Sequence, residues 1–338
     1  MTFDAQRLSD LAPYLKQRSE TGQAEVQELR PLTGGVSSTV IWARLSDGRQ
    51  WVVKQALPKL RVQADWRADP GRAHIEALAL RWFKKWLPPG ATPELIFEDE
   101  ANHLLCMQAI SDPGLTFKAA LMQRRVEHAA FPQLGTLLGT LHSISSRKLP
   151  EIAPLLGSCN YIEALRIEPY YLFTAAQLPQ ASPLLNVMAA SMRVRRDGLV
   201  HGDFSPKNIL INQGRLVLLD HEVAHIGDRA FDVGFFMTHI VAKAIHIPEL
   251  VSPLLSGLSA FWQSYERTVA PLLADDPDLQ ARSCAHLVCC LLARCLGRSP
   301  LEYLDPSSRR RVLELALQLA ASPPSTVAQV AAAVQVRS

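Results

Sequence analysis

The sequence predicts an α+β protein in two parts, a small antiparallel-sheet N-terminal lobe and a larger, mainly helical C-terminal lobe. Residues 26–54 alternate like strands around a turn signal, Ser46-Asp47-Gly48. A strongly periodic helix follows, and beyond Ser111-Asp112-Pro113-Gly114 the apolar pattern is helical almost throughout. A chain of 338 residues also suits two packed lobes better than one core. The expected division is 1–110 and 111–338.

The first element is a helix over residues 4–17, with Leu8, Leu11 and Leu15 on one face. Residues 26–32 form a strand that leads into Thr33-Gly34-Gly35-Val36-Ser37-Ser38. A β-rich run over 39–45 follows, and Trp51–Lys54 returns after the turn. Ile75, Leu78, Ala79, Trp82 and Phe83 recur at helical spacing across 72–87, and Pro88-Pro89-Gly90 stops that helix. Two short strands, 94–97 and 103–107, flank a turn at 99–102. The alanine-rich tail after Pro323-Pro324 reads as a terminal helix.

Bulk properties exclude several classes. The net charge of +3 gives no footprint for nucleic acid and no polybasic signature for a membrane surface. The N-terminus lacks the apolar core of a secretory signal, and stretches such as 285–292 are too short to span a bilayer. Of the six cysteines, Cys284, Cys289, Cys290 and Cys295 cluster without a C-x-x-C in an apolar helical run, which favours core packing over metal binding. A reduced, cytoplasmic setting follows.

The chemistry concentrates in residues 198–222. Leu199-Val200-His201 enters a loop; 208–211 and 216–219 are strands joined by a turn at 212–215. Pairing of Ile211 with Leu216 sets Asn208 opposite Leu219, and therefore next to Asp220. With the chain extended past Asp220, Glu222 projects on the same side. Asn208, Asp220 and Glu222 then form an oxygen-rich cluster suited to Mg²⁺ carrying nucleotide phosphates. Asp203, five residues before Asn208, is placed to orient an acceptor hydroxyl and take its proton.

His201-Gly202-Asp203-Phe204-Ser205-Pro206-Lys207-Asn208 resembles the H-G-D-x-x-x-x-N loop of the aminoglycoside phosphotransferase and choline kinase superfamily. Leu219-Asp220-His221-Glu222, followed by Gly227-Asp228 and Phe231-Asp232, looks like that family's D-x-E…G-D…D signature. The resemblance implies a bilobal protein-kinase-like fold and an ATP- and Mg²⁺-dependent kinase acting on a hydroxyl of a small polar molecule. It implies Asp203 as base, Asn208 and Asp220 as metal ligands, and Glu222 as a further ligand. Asp232 resembles a carboxylate that braces the catalytic loop, although N-capping of a helix over 233–241 also explains it.

The same resemblance extends to the nucleotide side. Gly34 and Gly35 let backbone amides approach phosphates, and Ser37 and Ser38 add hydroxyl donors. Lys54 matches the kinase strand lysine that neutralises α- and β-phosphates, with Glu76 its expected partner. Residues 107–110 fall where kinases connect their lobes, so Met107 and Ala109 are expected against the adenine. Residues 53–61, with Trp66 and Arg72 beyond, look like the N-terminal lobe of the methylthioribose kinase family. That family has proline where His221 stands here.

On the acceptor side, Arg294 ends an apolar helical run, where it either enters a cleft or caps the helix C-terminus. Asp275, Asp276 and Asp278 are candidates for attracting a polycationic antibiotic. The leading reading is therefore a small-molecule kinase, with a thioribose-like sugar as one candidate acceptor. An antibiotic phosphotransferase and a non-catalytic kinase-like binding protein are the alternatives.

Overall fold

A computed structural model describes residues 4–32, 35–61, 65–111, 114–156, 160–212 and 214–337. The chain divides into two compact units, one formed by Met1–Pro113 with Val217–Val223, the other by Gly114–Leu216 with Ala224–Ser338. The first unit thus takes back a short segment from deep in the sequence, and that segment contains Asp220 and Glu222.

The first unit opens with helix α1 (Leu8–Lys16) and continues as β1 (Val26–Pro31), β2 (Ser38–Leu45) and β3 (Gln50–Ala56). Helix α2 (Arg72–Trp86) follows, then β4 (Leu95–Asp99) and β5 (Leu104–Gln108). The five strands form one antiparallel sheet in the order β1-β2-β3-β5-β4. Side chains alternate between faces along a strand, and β3 shows why the residue order matters. Trp51 and Val53 enter the core shared with Leu11 and Leu15 of α1. Val52 and Ala56 join the cluster with Ala73 and Leu80 of α2. Lys54, in step with Val52 and Ala56, is carried to the α2 face. The returning segment is tied in by the Leu218 N–H, which donates to the Ala91 carbonyl at 2.8 Å.

The second unit contains β6 (Leu115–Thr116), α3 (Phe117–Met122), α4 (Ala130–Arg147), α5 (Leu149–Leu156) and α6 (Asn160–Ile162). A ten-residue π-helix, Glu163–Leu172, leads into α7 (Phe173–Gln177) and α8 (Ser182–Val194). Short strands β7 (Gly198–Val200), β8 (Ile209–Asn212), β9 (Arg215–Leu218) and β10 (His225–Gly227) surround the catalytic-type loop. The chain ends in α9 (Arg229–His246), α10 (Val251–Val269), α11 (Leu279–Leu296), α12 (Pro306–Ala321) and α13 (Val327–Gln335).

Helix α9 is the hub of this unit: all its residues from Arg229 to Ile245 are buried. Helix α11 lies against it at Gly234, where a Cβ would stand 2.5 Å from the Ser283 carbonyl oxygen. Only glycine permits that approach. By length and composition α11 could cross a bilayer, yet most of it is buried inside the unit, the signature of a core helix. Its four cysteines are free and buried, as is Cys106 of β5; Cys159 lies outside the described residues.

Candidate active site

Within the first unit, Lys54 collects three carboxylates. Its Nζ is 2.5 Å from Asp220 Oδ1, 2.7 Å from Glu76 Oε2 and 3.8 Å from Glu222 Oε2. Burial disfavours charge on Lys54, but Asp220, Glu76 and Glu222 outweigh it and hold the ammonium well above its ordinary pKa. Glu222 is shared with Arg72, whose Nε lies 3.2 Å away. Arg72 is fully buried, and its other nitrogens donate to the carbonyls of Ser37, Leu57, Ala68 and Asp69. It therefore pins the Glu222 carboxylate to the sheet.

Three carboxylates thus face two cations, leaving one surplus negative charge. Burial, then the neighbouring carboxylates against the pull of Lys54, push Glu76 up to about 7. One oxygen each of Glu76, Asp220 and Glu222 lie within 4.8 Å of one another. Hard oxygen donors carrying a net negative charge fit a divalent cation of the Mg²⁺ type.

The segment reaches this geometry differently from the sequence expectation. Asp220 has φ +64°, a left-handed conformation that non-glycine residues rarely adopt, so the chain turns there and does not stay extended. Glu222 converges with Asp220 through that turn, not by strand alternation. Between them His221 is buried edge-on against Phe83 of α2, and its N–H reaches Glu76 Oε1 at 3.4 Å. The helix face that supplies Glu76 also seats the turn.

The loop of the second unit is built around Asp203. Lys207 Nζ stands 2.9 Å from its Oδ2, Asn208 Nδ2 donates to the same oxygen at 2.9 Å, and Arg166 Nη2 is 3.0 Å from Oδ1. Asn208 Nδ2 also donates to the Asp203 carbonyl, so metal binding by Asn208 would use its Oδ1. Arg166 sits on the π-helix, a form frequent at functional sites, and its Nε donates to the Gly202 carbonyl at 2.8 Å. Gly202 has φ +76°, which accounts for glycine in the H-G-D triplet.

Asp232 fixes the loop from beneath. Its Oδ2 accepts the His201 N–H at 2.6 Å and its Oδ1 the Gly202 N–H at 2.9 Å. It does not open the helix: α9 begins four residues earlier than its position implied, and Asp228 is the cap, accepting from the Ala230 N–H. Asp232→Ala leaves two buried amides without an acceptor and should destabilise the protein by about 3–5 kcal/mol. Thermal melting of the full chain checks this, and a loss below about 1 kcal/mol contradicts the brace.

The other expected positions are distributed as follows. Gly34 lies outside the described residues, as do Thr33, Asp112 and Pro113. Gly35 precedes β2; the Ser37 carbonyl is taken by Arg72, and the Ser38 hydroxyl lies 3.4 Å from Glu222. Met107 packs in the core cluster beneath α2, and the Ala109 N–H donates to the Gln50 carbonyl. Asp276 is buried in ion pairs with Arg282 and Arg229, whereas Asp278 pairs with Arg282 but stays exposed, as does Asp275. Arg166 and Lys207 received no role from the sequence. Arg166 lies outside the quoted motif and Lys207 fills one of its variable positions, although Lys207 stands at i+4 from Asp203, the spacing at which two side chains on a helical turn meet.

The phosphotransferase enzyme family (APH) matches residues 28–272, which is most of the chain. The chain belongs to this family. Among its relatives, methylthioribose kinase 2 of Oryza sativa subsp. japonica is 26% identical over 231 residues, covering 60% of this chain and 53% of the rice protein. The chain thus spans about half the length of that curated relative. Two solved structures of similar fold are a fructosamine-3-kinase homologue from Thermobifida fusca and an amicoumacin kinase in complex with AMP-PNP and Ca²⁺. The first has a TM-score of 0.53 at 19% identity, covering 89% of this chain and 96% of that one. The second has 0.56 at 14%, covering 90% and 92%. These likenesses give the chain a protein-kinase-like fold, with the antiparallel sheet in one unit and most of the helices in the other.

Proposed function

We propose that this phosphotransferase moves the γ-phosphate of ATP, with Mg²⁺, onto a hydroxyl of a small molecule in the cytoplasm. The observation that carries the reading is Asp203, a buried carboxylate oriented by three donors on a loop braced by Asp232. In this reading the acceptor oxygen attacks the γ-phosphorus, the bond to the ADP oxygen breaks, and the acceptor proton passes to the Asp203 carboxylate. Lys207, about half exposed and paired to Asp203, is suited to meet charge on the transferred phosphoryl group.

Lys54, held charged by Asp220, Glu76 and Glu222, serves the α- and β-phosphates; Gly34, Gly35, Ser37 and Ser38 would line the phosphate loop, and Met107 and Ala109 the adenine side. Asp220 and Glu222 would hold Mg²⁺, with Asn208 Oδ1 as a further ligand. Bound there, the ion would neutralise phosphate oxygens. The intact Lys54, Asp203, Asn208 and Asp220 disfavour a non-catalytic scaffold.

The rice relative's name supports a sugar such as methylthioribose as acceptor, while the burial of Asp276 against Arg282 and Arg229 disfavours a polycationic antibiotic. ADP release with Mg-ATP and a panel of sugars, amino alcohols and aminoglycosides tests this. Turnover confined to aminoglycosides would overturn the sugar assignment.

A further inference from the structure

Arg294 and Lys243 stand apart from the other buried cations of the protein. Lys54, Arg72, Arg166, Arg229 and Arg282 each ion-pair with a carboxylate. Among the described residues, Arg294 (6% exposed) and Lys243 (0%) form no such pair. A buried cationic group without a counter-charge costs several kcal/mol, roughly, or gives up its proton, so a fold that keeps two such groups in one cluster calls for an explanation.

The two groups form one cluster. Arg294 Nη2 lies 3.4 Å from His239 Nε2, and Lys243, one turn further along α9, contacts the His239 carbonyl at 3.4 Å. Lys243 stands 4.7 Å from the ring centre of Tyr303 and 3.3 Å from its hydroxyl. Lys118 of α3 approaches the same ring at 5.6 Å. The Arg294 contacts to Ser299 engage one Nη, which is what a helix C-terminal cap needs, but its buried Nε makes no hydrogen bond. The nearby carboxylate, Glu302, is largely exposed and pairs with Lys118 at the rim.

The cluster also connects to the reacting loop. Arg294 and Arg166 flank the same two rings, Tyr170 and Phe235, at 4.8–5.5 Å, and Arg166 holds Asp203. Burial, then Lys118 and Arg294, depress Lys243 to about 7, and His239 is likewise pushed down by burial and by Arg294, Lys243, Lys207 and Lys118. Cations therefore outnumber anions from Lys118 to Lys207.

We propose that the acceptor is an anion, a hydroxy compound bearing a carboxylate or phosphate, whose oxyanion is held by Arg294, Lys243 and Lys118 while its hydroxyl is taken by Asp203. Two ammonium groups on the Tyr303 ring, with a guanidinium beside them on His239, suit an oxyanion and repel polycations. The assignment rests on the phosphotransfer reading and puts an acidic hydroxy compound in place of a neutral sugar such as methylthioribose as the acceptor.

Matched acceptors test it: glycerol against D-glycerate and glycerol 3-phosphate, and ribose against ribose 5-phosphate, with ADP release followed for the full chain. The acid members should show a kcat/KM roughly ten- to a hundredfold above the neutral ones, the value of one charge-assisted contact. The carboxylate and phosphate arms tell the two sources apart. Arg294→Gln and Lys243→Met should erase the preference by raising the acceptor KM. Lys118→Gln, at the rim where folding is not at stake, should erase part of it. Equal or better turnover of neutral or cationic acceptors overturns the proposal.

Absence of ADP release with every acceptor would count against phosphotransfer itself, and the anion site is then read by binding. Glycerate or inorganic phosphate should raise the melting temperature of the wild type more than that of Lys118→Gln or Arg294→Gln. Equal shifts in all three proteins overturn it.

Discussion

Asp203→Ala lowers turnover on the order of a thousandfold while Mg-ATP still binds. The expectation follows from what the carboxylate does. Arg166, Lys207 and Asn208 occupy its donor-facing positions at 2.9–3.0 Å, so its orientation is fixed before substrate arrives. Truncation removes the group that orients the acceptor hydroxyl and receives its proton, but none of the residues around Lys54. It also leaves Arg166 buried without its carboxylate, so Asp203→Asn, which keeps the shape, is the companion variant. Steady-state kinetics and nucleotide calorimetry on both variants separate the chemical step from folding. Unchanged activity in either rejects Asp203 as the base.

Asp220→Ala acts on the other half of the reaction. It should weaken Mg²⁺-dependent ATP binding by roughly ten- to a hundredfold and leave the metal-free affinity much less affected. Asp220 is 2.5 Å from Lys54 and holds φ +64°, a strain of about 1–3 kcal/mol maintained at a functional position. Alanine keeps that strain and loses the ligand. Asp220→Gly relieves it, so the glycine variant should melt above the alanine variant while binding Mg-ATP no better. Calorimetry with and without Mg²⁺ provides the test; equal losses in both conditions would assign Asp220 to the nucleotide and not to the metal.

How much of this was legible in the sequence depended on whether the signal was local. The strands at 26–56 and the helix at 72–86 were readable because alternation and 3.6-residue periodicity report directly on burial. Lys54 and Glu76 were readable together through the kinase resemblance, and strand alternation, which sends Lys54 to the α2 face, explains why they meet. The turn at Asp220 was not, since nothing in Leu219-Asp220-His221-Glu222 announces a left-handed residue; the strain is imposed by Lys54, Glu76 and Phe83 from elsewhere in the chain. Asp232 and Asp228 are both acids near a helix start, and only the hydrogen bonds assign capping to one and loop bracing to the other. Arg166 and the pair Arg294–Lys243 carry no motif: their meaning lies in what tertiary packing places, or fails to place, beside them.

The central claim is that Asp203 serves acceptor-dependent phosphoryl transfer. Incubating the full chain and its Asp203→Asn variant with Mg-ATP and the acceptor panel, and weighing the acceptors by mass spectrometry, tests it most directly. The account predicts an acceptor that gains one phosphoryl group in step with ADP formed by the wild type, and none above background with the variant. Equal phosphorylation by both proteins, or ADP formation with no acceptor modified, would contradict it.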